Sequence, residues 1–209
     1  MQPTKDSDVH GVLKINLPKG REEIPVVCRV FVKENSWKTV YETSATPKRG
    51  PEKLIIIRSP DAPNQYLYAK ARSPQDSLPE PQPVSAAKAD VPFAGSDFWL
   101  SELGLGFLDW PQQTKLKGEM RLGQPCYVLE SVNTNAAQVV RVKSWIEKES
   151  GSPLIAEGYD RHHKLIKEFS LGGSSVKKVN GQWQLKKMTI RSPREKSETV
   201  LEFDLSEEK

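Results

Sequence analysis

The residues of this chain that could do chemistry are few, and their spacing matches no catalytic or metal-binding pattern. His162 and His163 follow Asp160 in one turn-like stretch. Adjacent histidines seldom face one metal ion, and the sequence has no CxxC, HExxH or facial-triad spacing. Ser174 and Ser175 lie in a glycine-rich stretch with no base beside them that could activate a hydroxyl. We therefore predict no enzymatic activity, no metal and no cofactor.

The two cysteines, Cys28 and Cys126, each lie within an apolar segment that reads as a strand. Unpaired cysteines are commonly small buried hydrophobic residues, which favours two buried structural thiols. A disulfide would require their Cα atoms to lie within about 7 Å of each other, and the sequence leaves that alternative open.

Length and composition favour one all-β domain that spans residues 1–209. The chain has 209 residues, of which 36% are hydrophobic and 28% are charged, and its net charge is +4. The two signs are interleaved along the strands, which argues against a nucleic-acid partner. A weak attraction to an anionic membrane surface, and so peripheral membrane contact, is compatible with this charge. No apolar run reaches the roughly 18 residues that span a bilayer.

Alternating apolar and polar residues predict five strands in the N-terminal part, between residues 9 and 70. The pattern stops in the stretch 72–92, where Pro74, Pro79, Pro81 and Pro83 are expected to prevent a ladder, so we predict a long loop there. Either this loop is a passive linker between two halves of one sheet, or it tethers a mobile lid.

The segment 93–111 is apolar on almost every side. Ser96 or Asp97 could cap a short helix, which Gly104 and Gly106 would interrupt. A helix that is apolar all round is buried or has a second apolar partner. We therefore predict a lid that covers one face of the sheet. The chain has five tryptophans, two of them in this segment, and we favour packing in the core and at its rim over a carbohydrate or nucleic-acid platform.

The remainder, 115–205, reads as a meander of short antiparallel strands with one wet face and one dry face. Three of its side chains, Val140, Val142 and Ile146, fall on one face of a predicted strand, and Trp145 falls on the other face beside Arg141 and Lys143. The hydrophobic alternation thus predicts a mainly β fold in which the dry face of the meander meets the lid segment.

Three motifs resemble the LolA-like outer-membrane lipoprotein-sorting family. They are Gly-Ser-Asp-Phe at 95–98, Gly-Leu-Gly-Phe-Leu-Asp-Trp-Pro at 104–111 and Gly-Gln-Pro-Cys-Tyr-Val-Leu-Glu at 123–130. Further segments agree with the family at 141–154, 156–160 and 177–183. The resemblance covers residues 90–205 well, and the earlier strands fit the family by pattern only.

The resemblance implies a curved antiparallel sheet that forms an unclosed half β-barrel, with short helical lid segments over its concave face. It also implies a non-enzymatic periplasmic protein that carries lipid acyl chains or lipoproteins in that concavity. The alternative is a periplasmic sensor or envelope scaffold whose cavity is filled by its own side chains and which binds a protein partner. The expected ligand-binding residues are Phe98, Trp99, Leu103, Phe107, Trp110, Val140, Val142 and Ile146. The polar start at Met1 is typical of a chain whose export signal has been removed.

Overall fold

The computed structural model describes residues 3–60, 62–85, 88–136, 138–171, 176–179 and 182–205. Strands dominate, and two short helical turns lie between the sixth and seventh of them. The strands are β1 Ser7–Leu17, β2 Gly20–Lys33, β3 Ser36–Thr43, β4 Glu52–Ser59, β5 Ala62–Lys70, β6 Gln82–Val84, β7 Gln112–Arg121, β8 Gln124–Val132, β9 Arg141–Glu147, β10 Pro153–Tyr159, β11 Leu165–Ser170, β12 Val176–Val179, β13 Gln182–Leu185, β14 Lys187–Ser192 and β15 Ser197–Phe203. The helix α1 spans Leu100–Leu103, and a 3-10 helix spans Gly106–Asp109.

Thirteen of these strands form one antiparallel sheet in the order β6-β5-β4-β3-β2-β1-β15-β14-β11-β10-β9-β8-β7. Strands β6 and β7 lie at its two edges and do not pair with each other, so the sheet is a half barrel that does not close. Strands β12 and β13 pair with each other as a separate hairpin. The predicted fold class is confirmed, and so is the meander, since β7 to β11, β14 and β15 are neighbours in chain order.

Strand β1 joins the two halves of the sheet because it pairs with β2 on one side and with the last strand, β15, on the other. Leu13 lies opposite both Ile24 and Leu201, and all three side chains are buried. Backbone and side chains are close at this seam: a Cβ atom placed on Gly11 would lie 2.4 Å from the carbonyl oxygen of Glu202. The seam continues the apolar inner face from the N-terminal strands to the meander.

A second, smaller apolar cluster covers the other face of the β8–β9 region. Val142 belongs to the main core, whereas Trp145, three residues further along the same strand, packs against Cys126 and Val128. Two cations, Arg121 and Lys143, lie 4.3 Å and 4.6 Å from the indole ring. The position predicted for Trp145, beside the cationic residues of β9, is therefore observed.

Two local predictions are wrong. Within the predicted loop 72–92, residues 82–84 form the edge strand β6, which pairs with β5 and places Pro83 opposite Leu67. An edge strand tolerates proline because one side of its backbone needs no ladder partner. Helix α1 begins after Trp99, and neither Ser96 nor Asp97 caps it. Ser96 instead accepts a hydrogen bond from the backbone N–H of Phe98.

Ser174 and Ser175, the serines of the glycine-rich stretch, lie outside the described residues. Both cysteines, by contrast, are described, and they are free and buried. No helix in the described part of the chain is long and apolar enough to cross a membrane.

Candidate functional site

The segment 93–111, which we call the lid, packs its apolar side chains onto the inner face of the sheet. Phe93, Phe98 and Leu100 are at most 1% exposed. The rings of Phe107 and Phe169 lie 5.4 Å apart, which joins the 3-10 helix to β11. The lid is therefore part of the main hydrophobic core in this closed arrangement.

The lid can make its sharp turns because three residues adopt a positive φ. Ala94 and Gly95 have φ values of 51° and 67°, and Leu105, between the two helical turns, has a φ of 48°. A left-handed conformation is uncommon for alanine and leucine, so packing against the sheet must stabilise it. At the start of α1, the Glu102 carboxylate accepts a hydrogen bond from the backbone N–H of Trp99 at 2.8 Å.

A buried ion pair joins the lid to the sheet. The Lys167 Nζ on β11 lies 2.6 Å from Glu102 Oε2, and the two side chains are 5% and 6% exposed. Lys167 also donates to the carbonyl oxygen of Asp97 at 2.8 Å and lies 3.4 Å from the centre of the Trp99 ring. Burial raises the pKa of the Glu102 carboxyl and lowers the pKa of the Lys167 ammonium, because a site without water disfavours both charges.

Two further carboxylates hold the first part of the lid in place. Glu52, buried on β4, accepts hydrogen bonds from the Tyr68 hydroxyl at 2.5 Å and the Ala94 N–H at 2.7 Å. It also forms an ion pair with Lys70 at 2.9 Å. The Asp97 carboxylate accepts hydrogen bonds from the hydroxyls of two residues on β15, which ties the lid to the strand at the centre of the sheet.

A cavity of about 460 Å³ remains between the 3-10 helix and the inner face of the sheet. This volume lies within the usual range of about 300 to 1,000 Å³ for ligand pockets. Its wall is mainly apolar, and a few polar groups stand at its edge. The apolar wall includes Trp99, Phe107, Trp110, Ala136, Val139, Val142 and Phe169, and the polar groups include Tyr66, Asp90, Ser101, Glu102 and Asn133.

The predicted ligand-binding residues fall into three groups. Those that line this cavity are Trp99, Phe107, Trp110 and Val142. Phe98 and Leu103 are buried in the core under the lid. The other two lie elsewhere. Ile146 lines a separate cavity of about 590 Å³, and Val140 is half-buried and lines neither cavity.

Several residues of the site were missed in the sequence. Three of them are Tyr66, Val139 and Phe169. The local sequence around each residue does not show which residues it faces across the half barrel. The signal for Lys167 was present: it stands between Leu165 and Phe169 in the alternation of β11, on what reads as an apolar face. A charged residue at such a position needs a buried partner.

The arrangement offers binding more readily than catalysis. The nitrogen of Lys167, which could act as a nucleophile only as a free neutral amine, is engaged by a carboxylate, a carbonyl and a ring. His162 and His163 are exposed, and Asp160 accepts hydrogen bonds from the backbone N–H groups of His162 and Lys164. Among the described residues, no group of three or more His, Cys, Asp or Glu side chains is placed to hold a metal ion.

Comparison with protein families decides the family. A family model described as that of an uncharacterized protein matches residues 35–207, which is most of the chain. The chain belongs to this family. A search of curated proteins finds no match.

Solved structures with the same fold confirm the resemblance seen in the sequence. A DUF1329 family protein from Desulfovibrio piger has a TM-score of 0.75 and 20% identity, over 96% of this chain and 84% of that one. A domain described as outer membrane lipoprotein-sorting, from Vibrio parahaemolyticus, has a TM-score of 0.73 and 17% identity, over 95% and 84%. A LolA superfamily protein from Nitrosomonas europaea has a TM-score of 0.58 and 15% identity, over 98% and 86%. The fold is therefore LolA-like.

Proposed function

We propose that this protein is a non-enzymatic carrier of the bacterial periplasm that holds the acyl chain of a lipid or lipoprotein between the lid and the inner face of the sheet. The observation that carries the proposal is the mainly apolar cavity of about 460 Å³ beneath a lid whose contacts include one buried ion pair. The similarity in fold to a domain described as lipoprotein-sorting supports it.

Binding of a long chain would require the lid to move, because its side chains fill much of the concavity in the closed arrangement. Burial of an acyl chain contributes about 0.8 kcal/mol per methylene group. About ten buried methylenes would therefore supply about 8 kcal/mol, which corresponds to a dissociation constant near 1 μM before the cost of lid opening. The cavity supplies the first part of that space, and displacement of Phe107 from Phe169 would supply the rest.

Uptake of a fluorescent fatty acid tests the proposal directly. The variant Ala136→Phe places a ring in the cavity wall and is expected to weaken uptake at least tenfold, because Ala136 is buried and lines the cavity. Thr134→Phe is the matched control, since Thr134 is exposed in the same loop. Absence of uptake by the native protein, together with no acyl ligand in native mass spectrometry or lipid extracts, would contradict the proposal.

A second candidate is a sensor or envelope scaffold that binds a protein partner and no lipid. The observation that favours it is the complete burial of Phe98 and Leu100 in the core, so that the lid itself fills much of the concavity. A protein that takes up no acyl ligand and whose lid exchanges amide hydrogens as slowly as the central strands would support this candidate.

A further inference from the structure

Arg58, a charged residue, follows the apolar residues of β4 on the inner face of the sheet. Leu54 and Ile56 are fully buried in the main core, and Arg58 follows them in the same alternation. Arg58 lies directly opposite Trp37 on β3. Residues directly opposite each other in an antiparallel pair share a face. Arg58 and Trp37 therefore stand together on the inner face, at its rim.

The guanidinium of Arg58 lacks the close partners that two other arginines with a buried Nε have. Its Nε is buried and donates no hydrogen bond within the described residues, and the centre of the Trp37 ring is 6.0 Å from its guanidinium carbon. Arg121 and Arg141 also have a buried Nε without a partner. Arg121, however, lies 4.3 Å from the Trp145 ring, and Arg141 forms an ion pair with a glutamate at 3.2 Å. Arg58 has only the more distant Trp37 ring and, within the described part of the chain, no ion pair.

Arg58 borders a second cavity, of about 590 Å³, which residues of the lid also line. Its guanidinium lies against the lid backbone, since a Cβ atom placed on Gly104 would be 3.3 Å from one of its terminal nitrogens. The apolar part of the wall is formed by Leu105, Leu108 and Ile146. The cavity thus combines an apolar surface with a cation that forms no ion pair with any residue the structure describes.

The two cavities are adjacent. Pro63, Asn64 and Asp109 line both of them. The Asn64 side chain donates a hydrogen bond to the Asp109 carboxylate at 3.0 Å, so this pair forms part of the partition. A single amphiphile could therefore place its chain in the first cavity and its polar end in the second.

We propose that the second cavity binds the singly charged anionic head group of an amphiphile, a phosphodiester or a carboxylate, on the guanidinium of Arg58. This inference rests on the proposed function, since it assigns the polar end of the same ligand. The planar fork of arginine donors matches two oxygens of a carboxylate or phosphate. The Asp109 carboxylate in the same wall disfavours a doubly charged phosphomonoester by repulsion. The head group supplies the partner that Arg58 lacks.

Three ligands with the same oleoyl chain test the proposal: 1-oleoyl-lysophosphatidylglycerol, oleate and uncharged monoolein. We expect the native protein to bind at least one of the two anions about tenfold or more tightly than monoolein, because a charged hydrogen-bonded pair strengthens binding by that order. The anion that shows the preference identifies the head group. In Arg58→Gln this preference should fall below about threefold, and Arg58→Lys should retain part of it.

Arg141→Gln removes the same charge from the outer face and should keep the preference. Thermal melting separates a binding role from a structural one: Arg58→Gln should melt at or above the native temperature, because it removes a buried group without a partner. Equal binding of all three ligands by the native protein, or an unchanged preference in Arg58→Gln, would overturn this inference alone. Failure to bind any of them, monoolein included, would overturn the proposed function as well.

Discussion

Replacement of Lys167 by methionine should strongly destabilise the closed lid. The substitution keeps the apolar length of the side chain and removes the ammonium, which leaves the Glu102 carboxylate buried without its counterion. Removal of one partner of a buried ion pair typically costs about 3 to 5 kcal/mol. With a urea dependence of about 2 kcal/mol per molar, the unfolding midpoint should fall by roughly 1.5 to 2.5 M.

The matched control is Lys14→Met. Lys14 and Glu202 have the same 2.6 Å separation as the buried pair, but their side chains are 30% and 32% exposed. Because water screens exposed pairs, this change should cost about 1 kcal/mol or less. The double variant Lys167→Met with Glu102→Gln should recover at least half of the stability lost in the single variant, since no charge is then left unpaired.

The loss in Lys167→Met should also depend on pH. Burial already raises the pKa of Glu102 above its ordinary value of 4.5, and loss of the ammonium removes the main cause that lowers it. A carboxyl whose folded pKa is raised favours the folded state at low pH, and this contribution is lost as pH rises through the folded pKa. The deficit should therefore be smaller at pH 4.5 than at pH 8. Urea midpoints within 0.5 M of the native value at both pH values would refute the reasoning.

Three further predictions concern the rest of the molecule. Glu52→Gln should lower the free energy of unfolding by about 2 to 3 kcal/mol, because it weakens two charged hydrogen bonds and removes an ion pair. Hydrogen exchange of the Ala94 amide should become faster, and an unchanged exchange rate there would contradict this role of Glu52. Gly11→Ala should cost about 1 to 3 kcal/mol in urea titrations, because its Cβ would lie 2.4 Å from the Glu202 carbonyl oxygen, and a neutral effect would show that the seam can yield. Burial raises the pKa of Cys28 to about 12, so its thiol should resist a disulfide reagent at pH 8 until urea is added; labelling within minutes in the folded protein would argue against the buried position.

The strands could be predicted because one face of each is wet and the other dry. The alternation of Leu13 and Ile15 with polar neighbours, or of Leu201 and Phe203 in the last strand, is local information, and both pairs are buried. The edge strand β6 escaped prediction because its pairing with β5 is too short to leave a pattern and tolerates Pro83. The helix start at Leu100 escaped it because the preceding residue is a tryptophan, whose backbone N–H donates to the Glu102 carboxylate inside the helix.

The sequence by itself determined the mainly β class, the apolar lid between 93 and 111, and the dry face that the lid must cover. It could do so because periodicity and turn residues act over a few positions. Only the tertiary structure decided that Glu102 meets Lys167, 65 residues away, and that the buried Nε of Arg58 has no hydrogen-bond partner among the described residues. Those facts depend on which strands face each other across the half barrel. That arrangement is set by packing of the whole chain, and it determines where a ligand could bind.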